Sequence, residues 1–87
     1  MHFLHSRRFD KRFKRLPHSL QEKAIERRAL FAEDRRHPLL DDHALHEPFL
    51  GCRSFSVTGD MRIIYRLISD TECLLVDIGT HHELYGS

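Results

Sequence analysis

The 87-residue sequence lacks any hydrophobic run that approaches the roughly 20 apolar residues of a membrane-spanning helix. Its polar N-terminus does not resemble a secretory signal peptide, so we expect a cytoplasmic protein that does not enter membranes. A chain of this length buries only about 60–65% of its unfolded surface, and residues 1–87 should therefore form one small domain. Such a domain has no room for an enclosed cofactor site, and we expect no cofactor.

Cysteine is also scarce. The chain contains two, Cys52 and Cys73, and they show no metal-ligand spacing. Because disulfides are rare in the cytoplasm, we expect both to be reduced, packed thiols. His43 and His46 are three residues apart in a proline-bounded segment, where no helix would hold them together as metal ligands. The sequence therefore predicts no metal site.

Charge is unevenly distributed, although the net charge is only +1. Residues 1–36 contain eleven Lys or Arg and five Asp or Glu, whereas residues 37–87 contain three and eight. A basic segment is the usual footprint of a polyanionic partner, but two ordinary solvated helices would give the same pattern. The acidic second half argues against a protein that coats DNA. The sequence also contains eight histidines, an unusually high number for its length. Imidazole is the side chain whose ordinary pKa lies nearest to neutral pH.

The first third of the chain predicts a short strand and a helix. Residues 2–5 are apolar enough to add a strand to a later sheet. Ser6 is a suitable N-cap for a helix that continues to about residue 16, and Pro17 ends it. The apolar stripe of this helix, with helical spacing, consists of Phe9, Phe13 and Leu16.

A second helix is predicted from Ser19 to about residue 34. Ser19 and Glu22 have the spacing of a capping box, in which each side chain binds the other residue's backbone. The residues expected on its buried side are Leu20, Ala24, Ile25 and Phe31. The two helices, joined by a proline turn, form a helical hairpin.

An irregular, proline-bounded connection follows at residues 37–49, of the kind that often carries function. Three strands are then predicted at residues 52–57, 61–68 and 73–78. The tight turns between them require antiparallel pairing. The sequence therefore predicts an α+β domain of order β-α-α-β-β-β, in which the helical hairpin covers one face of a small antiparallel sheet.

Alternation along the strands predicts which side chains face the helices. In the middle strand, the expected core residues are Ile63, Tyr65 and Leu67, and the opposite face carries Arg62, Ile64 and Arg66. In the last strand, the expected core residues are Leu74, Val76 and Ile78. A strand that buries one face and carries arginines on the other is a possible floor for an anion, with Asp60 in the preceding turn and His81 after the last strand.

Five short motifs in the second half of the chain together resemble a known family. They are Asp42-His43 with Leu45, Gly51-Cys52-Arg53, Gly59-Asp60-Met61-Arg62-Ile63-Ile64-Tyr65, Gly79-Thr80-His81 and Glu83-Leu84-Tyr85. In this combination and order they resemble the RelE/YafQ toxins, which are the toxin halves of bacterial type II toxin–antitoxin pairs. The resemblance covers roughly the last half of the chain, and the first half agrees only in its order of elements.

The resemblance implies an endoribonuclease that enters the A site of the 70S ribosome, cuts translated mRNA and is neutralised by a cognate antitoxin. In this metal-independent reaction a base takes the proton of a ribose 2′-hydroxyl, and the oxygen attacks the adjacent phosphate. An acid then protonates the leaving 5′-oxygen, while cations hold the phosphate as its charge develops. The basic helical hairpin would dock on the ribosomal RNA backbone.

By motif, the candidate catalytic residues are His43, Asp60, Arg62, His81 and Tyr85, and the candidate RNA-binding residues are Arg53, Arg62 and Tyr85. The resemblance implies that His81 is the general acid and that either Asp60 or His43 acts as base or orients the substrate. It also implies that Arg62 stabilises the phosphate and that Tyr85 stacks on a base.

Two positions depart from the YafQ pattern. Ser56 stands where that branch has another catalytic histidine, and Met61 replaces an aromatic residue. Serine cannot act as a base near neutral pH, so cleavage has to rely on His43, Asp60 and Arg62 or be slower. Two alternatives therefore stay open: a ParE-like toxin that inhibits DNA gyrase, and a degenerate toxin that binds antitoxin and ribosome without cutting.

Overall fold

The computed structural model describes residues 1–86. In chain order the elements are strand β1 (His2–His5), helices α1 (Arg7–Lys14) and α2 (His18–Glu33), a 3-10 turn (Pro38–Leu40), strands β2 (His43–Ala44), β3 (Arg53–Ser56), β4 (Met61–Leu67) and β5 (Glu72–Thr80), and helix α3 (His81–Tyr85). The predicted α+β class, with a helical hairpin before a meander, is confirmed. Within residues 1–86, no helix combines the length and the apolar character needed to cross a membrane.

The five strands form one sheet in the order β1-β5-β4-β3-β2. The β3-β4-β5 meander is antiparallel as predicted. Strand β1 does join the sheet, but it pairs parallel with β5, so the sheet is mixed. Three elements were not predicted: the 3-10 turn and strand β2, both inside the segment expected to be irregular, and helix α3 after the last strand.

Helix α1 begins as predicted, and α2 does not. The Ser6 hydroxyl oxygen accepts the N–H of Phe9 at 3.0 Å, as an N-cap does. Helix α2 begins one residue before Ser19, and its N-cap, Pro17, makes no side-chain cap. The capping box predicted for Ser19 and Glu22 was therefore wrong. The Pro17 carbonyl already closes the first turn by accepting two backbone N–H groups, which leaves Ser19 inside the helix.

The main core lies between α1, α2 and the sheet. Its buried residues are Phe9, Ala24, Phe31, Leu40, Phe55, Val57, Met61, Ile63, Tyr65, Cys73, Leu75 and Ile78. Phe31 is at its centre, stacked on Phe55 at 4.8 Å between ring centroids and edge-on to Tyr65 at 4.7 Å. The predicted burial of Ile25 was wrong, because its side chain is 48% exposed. The buried stripe passes through Ala24 instead, and the next residue is rotated about 100° around the helix.

The predicted core face of β5 was also partly wrong. Ile78 faces the helices as expected, but Leu74 and Val76 do not. Their places in the main core are taken by Cys73 and Leu75, both fully buried.

A bulge explains this change of face. Across the β4–β5 ladder, Ile64 pairs with Asp77 whereas the next residue, Tyr65, pairs with Leu75. Val76 is the extra residue. One extra residue reverses the alternation from that point on, which simple period-two reasoning cannot detect.

A smaller apolar cluster covers part of the opposite face of the sheet. Its members are Cys52, Ile64 and Leu84, with Leu45, Phe49, Val76 and Tyr85 packed against them. Ile64 was correctly predicted on the face of Arg62, but it is fully buried, because α3 and the loop before β3 pack over it. The floor predicted for an anion is therefore covered at Ile64, whereas Arg66 on the same face is exposed.

Both cysteines are free and buried, as predicted. Burial raises the pKa of the Cys73 thiol to about 12. A thiol with this pKa stays protonated at neutral pH and is a poor nucleophile.

Candidate active site

An open cleft lies beside α3, on the face of the sheet opposite α1 and α2. Its lining residues are His43, Ala44, Leu45, His46, Glu47, Arg62, His81 and Tyr85, and its volume is about 470 Å3. Strand β2, strand β4 and helix α3 thus bring together four of the predicted catalytic residues, which are far apart in sequence. His46 is exposed and also lines this cleft.

The Arg62 guanidinium is held by three hydrogen bonds. Its Nε donates to Ser54 Oγ at 2.8 Å, and its Nη2 donates to the backbone oxygens of Asp41 at 2.7 Å and of Ser54 at 3.0 Å. The side chain is only 13% exposed. Nη1 has a longer contact, 3.4 Å, with the exposed carboxylate of Asp41. The position of the charge is therefore fixed, and the N–H groups of Nη1 are the ones best placed to meet an incoming anion.

The hydrogen bonds around His43 assign its tautomer. Its Nδ1 lies 3.0 Å from the Asp41 carbonyl oxygen and 3.3 Å from Arg62 Nη2. Both hydrogens of Nη2 are already directed at the carbonyls of Asp41 and Ser54. We therefore assign the His43 hydrogen to Nδ1, which donates it to Asp41. The other ring nitrogen, Nε2, then carries a lone pair that can accept a proton.

Helix α3 sets the positions of His81 and Tyr85, which are one turn apart. Their ring centroids are 4.7 Å apart, and the Tyr85 ring meets Phe49 edge-on at 6.0 Å. The helix begins with a capping box: the Glu83 N–H donates to Thr80 Oγ1 at 3.2 Å, and the Thr80 N–H donates to Glu83 Oε1 at 2.8 Å. The spacing of Thr80 and Glu83 was therefore the signal for a helix that sequence reasoning missed.

Asp60 and Ser56 lie at the β3–β4 turn, next to the cleft. Asp60 is exposed, and its carbonyl accepts the His81 N–H at 3.2 Å, which ties the turn to the start of α3. Its side chain is not part of the cleft lining. Ser56 pairs with Arg62 across the ladder, and its hydroxyl donates to the Thr58 carbonyl at 2.7 Å. The Ser56 hydroxyl is thus part of the turn.

The structure separates Arg53 from the cleft. Its Nε donates to Asp42 Oδ1 at 2.7 Å, and this hydrogen bond raises the pKa of Arg53. It lines a different concavity of about 620 Å3, together with Arg35, Arg36 and neighbouring residues. The Tyr65 hydroxyl donates to the other Asp42 oxygen, and burial, followed by this contact, raises the pKa of Tyr65.

Asp42 received no role from the sequence, although its motif was noted. It binds Arg53 and Tyr65 on the helix side of the sheet, while the next residue, His43, contacts Arg62 on the cleft side. Asp42 therefore anchors the short strand that carries His43. Among residues 1–86, no group of three or more His, Cys, Asp or Glu side chains is arranged to hold a metal ion.

Comparison with known proteins gives one family and a set of related folds. The sequence model of the family described as "Bacterial toxin of type II toxin-antitoxin system, YafQ" matches residues 1–86. No curated protein gives a significant match.

Among solved structures, YafQ from Escherichia coli BL21(DE3) is 24% identical, with a TM-score of 0.78 over 97% of both chains. A chain of the E. coli DinJ–YafQ complex is 26% identical, with a TM-score of 0.75 over 97% of both chains. A YoeB/ParE toxin from Agrobacterium tumefaciens shares the fold at 16% identity, with a TM-score of 0.76 over 93% of this chain and 99% of that one. On the match of the family model to almost its whole length, the chain belongs to the YafQ family of bacterial type II toxins.

Proposed function

We propose that this toxin is an endoribonuclease that cuts translated mRNA in the ribosomal A site by metal-independent acid–base chemistry. The observation that carries the proposal is the cleft in which His43, Arg62 and His81 converge. It supplies a proton acceptor, a fixed cation and a second imidazole. Attack of a ribose 2′-hydroxyl on the adjacent phosphate of RNA requires groups of these kinds.

In the proposed reaction, His43 Nε2 accepts the proton of a ribose 2′-hydroxyl. The 2′-oxygen forms a bond to the adjacent phosphorus, and the bond from phosphorus to the 5′-oxygen breaks. His81 donates a proton to that leaving oxygen. The products are a 2′,3′-cyclic phosphate and a new 5′-hydroxyl. We favour His43 over Asp60 as the base, because His43 lines the cleft and the Asp60 side chain does not.

Arg62 is proposed to stabilise the charge that develops on the phosphate. Three of its N–H groups are used to fix the guanidinium, so little reorganisation is needed when the phosphate arrives. Loss of a single fixed donor of this kind typically lowers a rate by about 10²–10³. Tyr85, whose ring lines the cleft, is proposed to stack on a base beside the scissile phosphate.

This assignment gives Ser56 no catalytic role. Its hydroxyl donates within the β3–β4 turn, and its partner across the ladder, Arg62, is held by Ser54 and Asp41. The set of His43, Arg62 and His81 is therefore proposed to be sufficient for cleavage without a histidine at position 56.

We further propose that the toxin acts in the cytoplasm, docks on ribosomal RNA and is held inactive by a cognate antitoxin. The exposed basic side chains of α1 and of its C-cap residue, suited to an RNA backbone, are Arg7, Arg8, Lys11, Lys14 and Arg15. The E. coli relative forms a complex with DinJ, which supports a protein partner for this chain as well.

Induction in bacteria tests the proposal. Wild type, His81→Ala and Arg62→Ala are expressed from the same promoter, and mRNA 5′-ends are mapped after growth slows. Wild type is expected to create new ends within translated codons, and the two variants are expected to create none while remaining folded and soluble. Growth arrest without new ends would contradict the nuclease and favour a toxin that acts by binding alone.

A further inference from the structure

Asp77 in β5 is a buried carboxylate that the proposed reaction does not use. It is 1% exposed, and one oxygen accepts the Ile78 N–H at 2.8 Å. Two arginines one turn apart on α1 face it: Arg12 Nε lies 3.5 Å from one oxygen and Arg8 Nη1 lies 3.9 Å from the other. Burial raises the pKa of Asp77, and the hydrogen bond and the arginines oppose that rise. A carboxylate that is buried to this extent needs a cation close to it.

The Arg12 guanidinium also approaches α3. A Cβ atom on Gly79 would lie 3.0 Å from Arg12 Nη1 and 3.2 Å from Glu83 Oε1. The guanidinium and the Glu83 carboxylate, both within residues 1–86, therefore lie on either side of the space above Gly79, and they form no ion pair with each other. Among the described residues, Nη1 is buried without a hydrogen-bond acceptor. The pKa of Glu83 is lowered, first by the backbone N–H of Thr80 and further by the Arg12 charge.

Glu83 determines how α3 begins. Its carboxylate accepts the Thr80 N–H and completes the capping box. His81 is the first residue of that helix, immediately after Thr80. A shift of the Glu83 carboxylate would therefore change the position from which the His81 ring enters the cleft.

We infer that Arg12, anchored on Asp77, is a positioning residue whose charge attracts the Glu83 carboxylate across Gly79 and so steadies the start of α3, from which His81 enters the cleft. The structural half of this inference is independent of activity. The kinetic half rests on the proposed nuclease function.

A set of variants separates positioning from stability. Arg12→Met leaves Asp77 buried without its nearest cation, and this alone should destabilise the fold. Adding Asp77→Asn removes that buried charge and keeps an acceptor for the Ile78 N–H, so the double variant should regain the wild-type unfolding midpoint. Arg12→Lys is a second variant, and as a conservative substitution it should keep the fold. The single lysine ammonium can stay near Asp77 but cannot also act on Glu83. Arg66→Met, which removes an exposed arginine on β4 outside the cleft, is the matched control.

The test combines amide hydrogen exchange with ribosome-dependent cleavage by the purified proteins. The Thr80 amide, bonded to Glu83, should exchange about tenfold faster in Arg12→Met/Asp77→Asn and in Arg12→Lys, as for a weakened helix cap. The Val57 amide, which donates to the Met61 carbonyl in the β3–β4 turn, should be unchanged. In both variants kcat should fall about tenfold at unchanged KM. Arg66→Met should match wild type in both exchange rates and in kcat.

Wild-type exchange at Thr80 in the stable double variant would overturn the inference, as would recovery of kcat together with stability. Faster exchange at Thr80 in a protein whose wild type does not cleave RNA would leave the positioning role standing. That result would contradict the proposed function instead.

Discussion

Arg62 shows most clearly how one side chain links the fold to the proposed chemistry. It stands on the cleft face of β4, and its partners Ser54 and Asp41 come from β3 and from the turn before β2. Ser54 is itself fully buried, so its hydroxyl depends on the arginine for a hydrogen-bond partner. The same contacts that order the edge of the sheet therefore fix the cation in the cleft.

Arg62→Lys should abolish most activity and cost some stability. A lysine ammonium cannot reproduce the planar set of hydrogen bonds to Ser54 and Asp41. It leaves the buried Ser54 hydroxyl without a good hydrogen-bond partner, which lowers the free energy of unfolding by about 1–3 kcal/mol. We expect cleavage to fall by about 10²–10³. The control is Arg66→Lys, an exposed residue on the same strand and outside the cleft. Equal loss in both variants, measured by cleavage rate and urea unfolding, would contradict the role of Arg62.

Cys73 predicts how stability depends on alkaline pH. Its thiol ionises near pH 9 in the unfolded chain but only near 12 in the folded one, so the folded state binds more protons between these values. The contribution of this thiol to the free energy of unfolding is complete below pH 9. As the pH rises above 9, this contribution falls by about 1.4 kcal/mol per pH unit. The free energy of unfolding of wild type, measured in urea, should therefore exceed that of Cys73→Ala by less and less as the pH rises above 9. A constant difference from pH 8 to 11 would show that burial does not control this thiol.

At the scale of elements, the junction of β5 and α3 is closely packed and lies next to the site. Gly79 pairs with Arg62 in the ladder, lies against Arg12 and Glu83, and precedes the helix that carries His81. A side chain at this position has no free space.

Gly79→Ala is expected to destabilise the protein by about 1–3 kcal/mol and to reduce cleavage, because the added methyl group pushes Glu83 or Arg12 away. Gly59→Ala is the matched control in the β3–β4 turn, since a Cβ atom there meets nothing within 4 Å. Thermal unfolding of both variants checks this. A Gly79→Ala protein as stable and as active as Gly59→Ala would mean that the contact with Arg12 and Glu83 is loose.

The sequence predicted those elements that depend on local pattern. Ser6 capped α1 as expected, and the tight turns produced the antiparallel meander. The sequence failed where pairing partners decide the outcome. Nothing local marks Val76 as a bulge, because the bulge exists only in the register between β4 and β5. The parallel pairing of β1 with β5 likewise depends on strands that lie about 70 residues apart.

The candidate site divides in the same way. Motif spacing placed His43, Arg62, His81 and Tyr85 in one group, and all four line the cleft. Motif matching did not separate Arg53, which lies on the other side of the sheet, bound to Asp42, although alternation along β3 puts it on the face of the buried Phe55. The roles of these residues in catalysis stay predictions.

For the whole molecule, the sheet separates two surfaces with different properties. One side carries the basic helix α1, and the other carries the cleft with its histidines. We propose that α1 supplies general affinity for the ribosome and that the cleft supplies the reaction.

Neutralising Lys11 and Lys14 together should weaken ribosome binding without changing the unfolding midpoint. The dependence of log K on log salt should become shallower, by about 0.7–0.9 for each RNA phosphate that the toxin no longer neutralises. The control pair Lys23→Gln and Arg66→Gln removes the same net charge from other surfaces. If both pairs reduce affinity and slope equally, only net charge matters and α1 is not the docking surface.

The most direct test of the proposed reaction uses ribosomes that carry an mRNA with one 2′-deoxynucleotide at a position that wild type cuts. The attacking 2′-oxygen is then missing at that position alone. We expect cleavage there to stop while neighbouring ribose positions are still cut, and we expect the remaining products to end in a 2′,3′-cyclic phosphate and a 5′-hydroxyl. Cleavage at the deoxy position, with a 5′-phosphate on the product, would show attack by water and contradict the acid–base chemistry proposed for His43, Arg62 and His81.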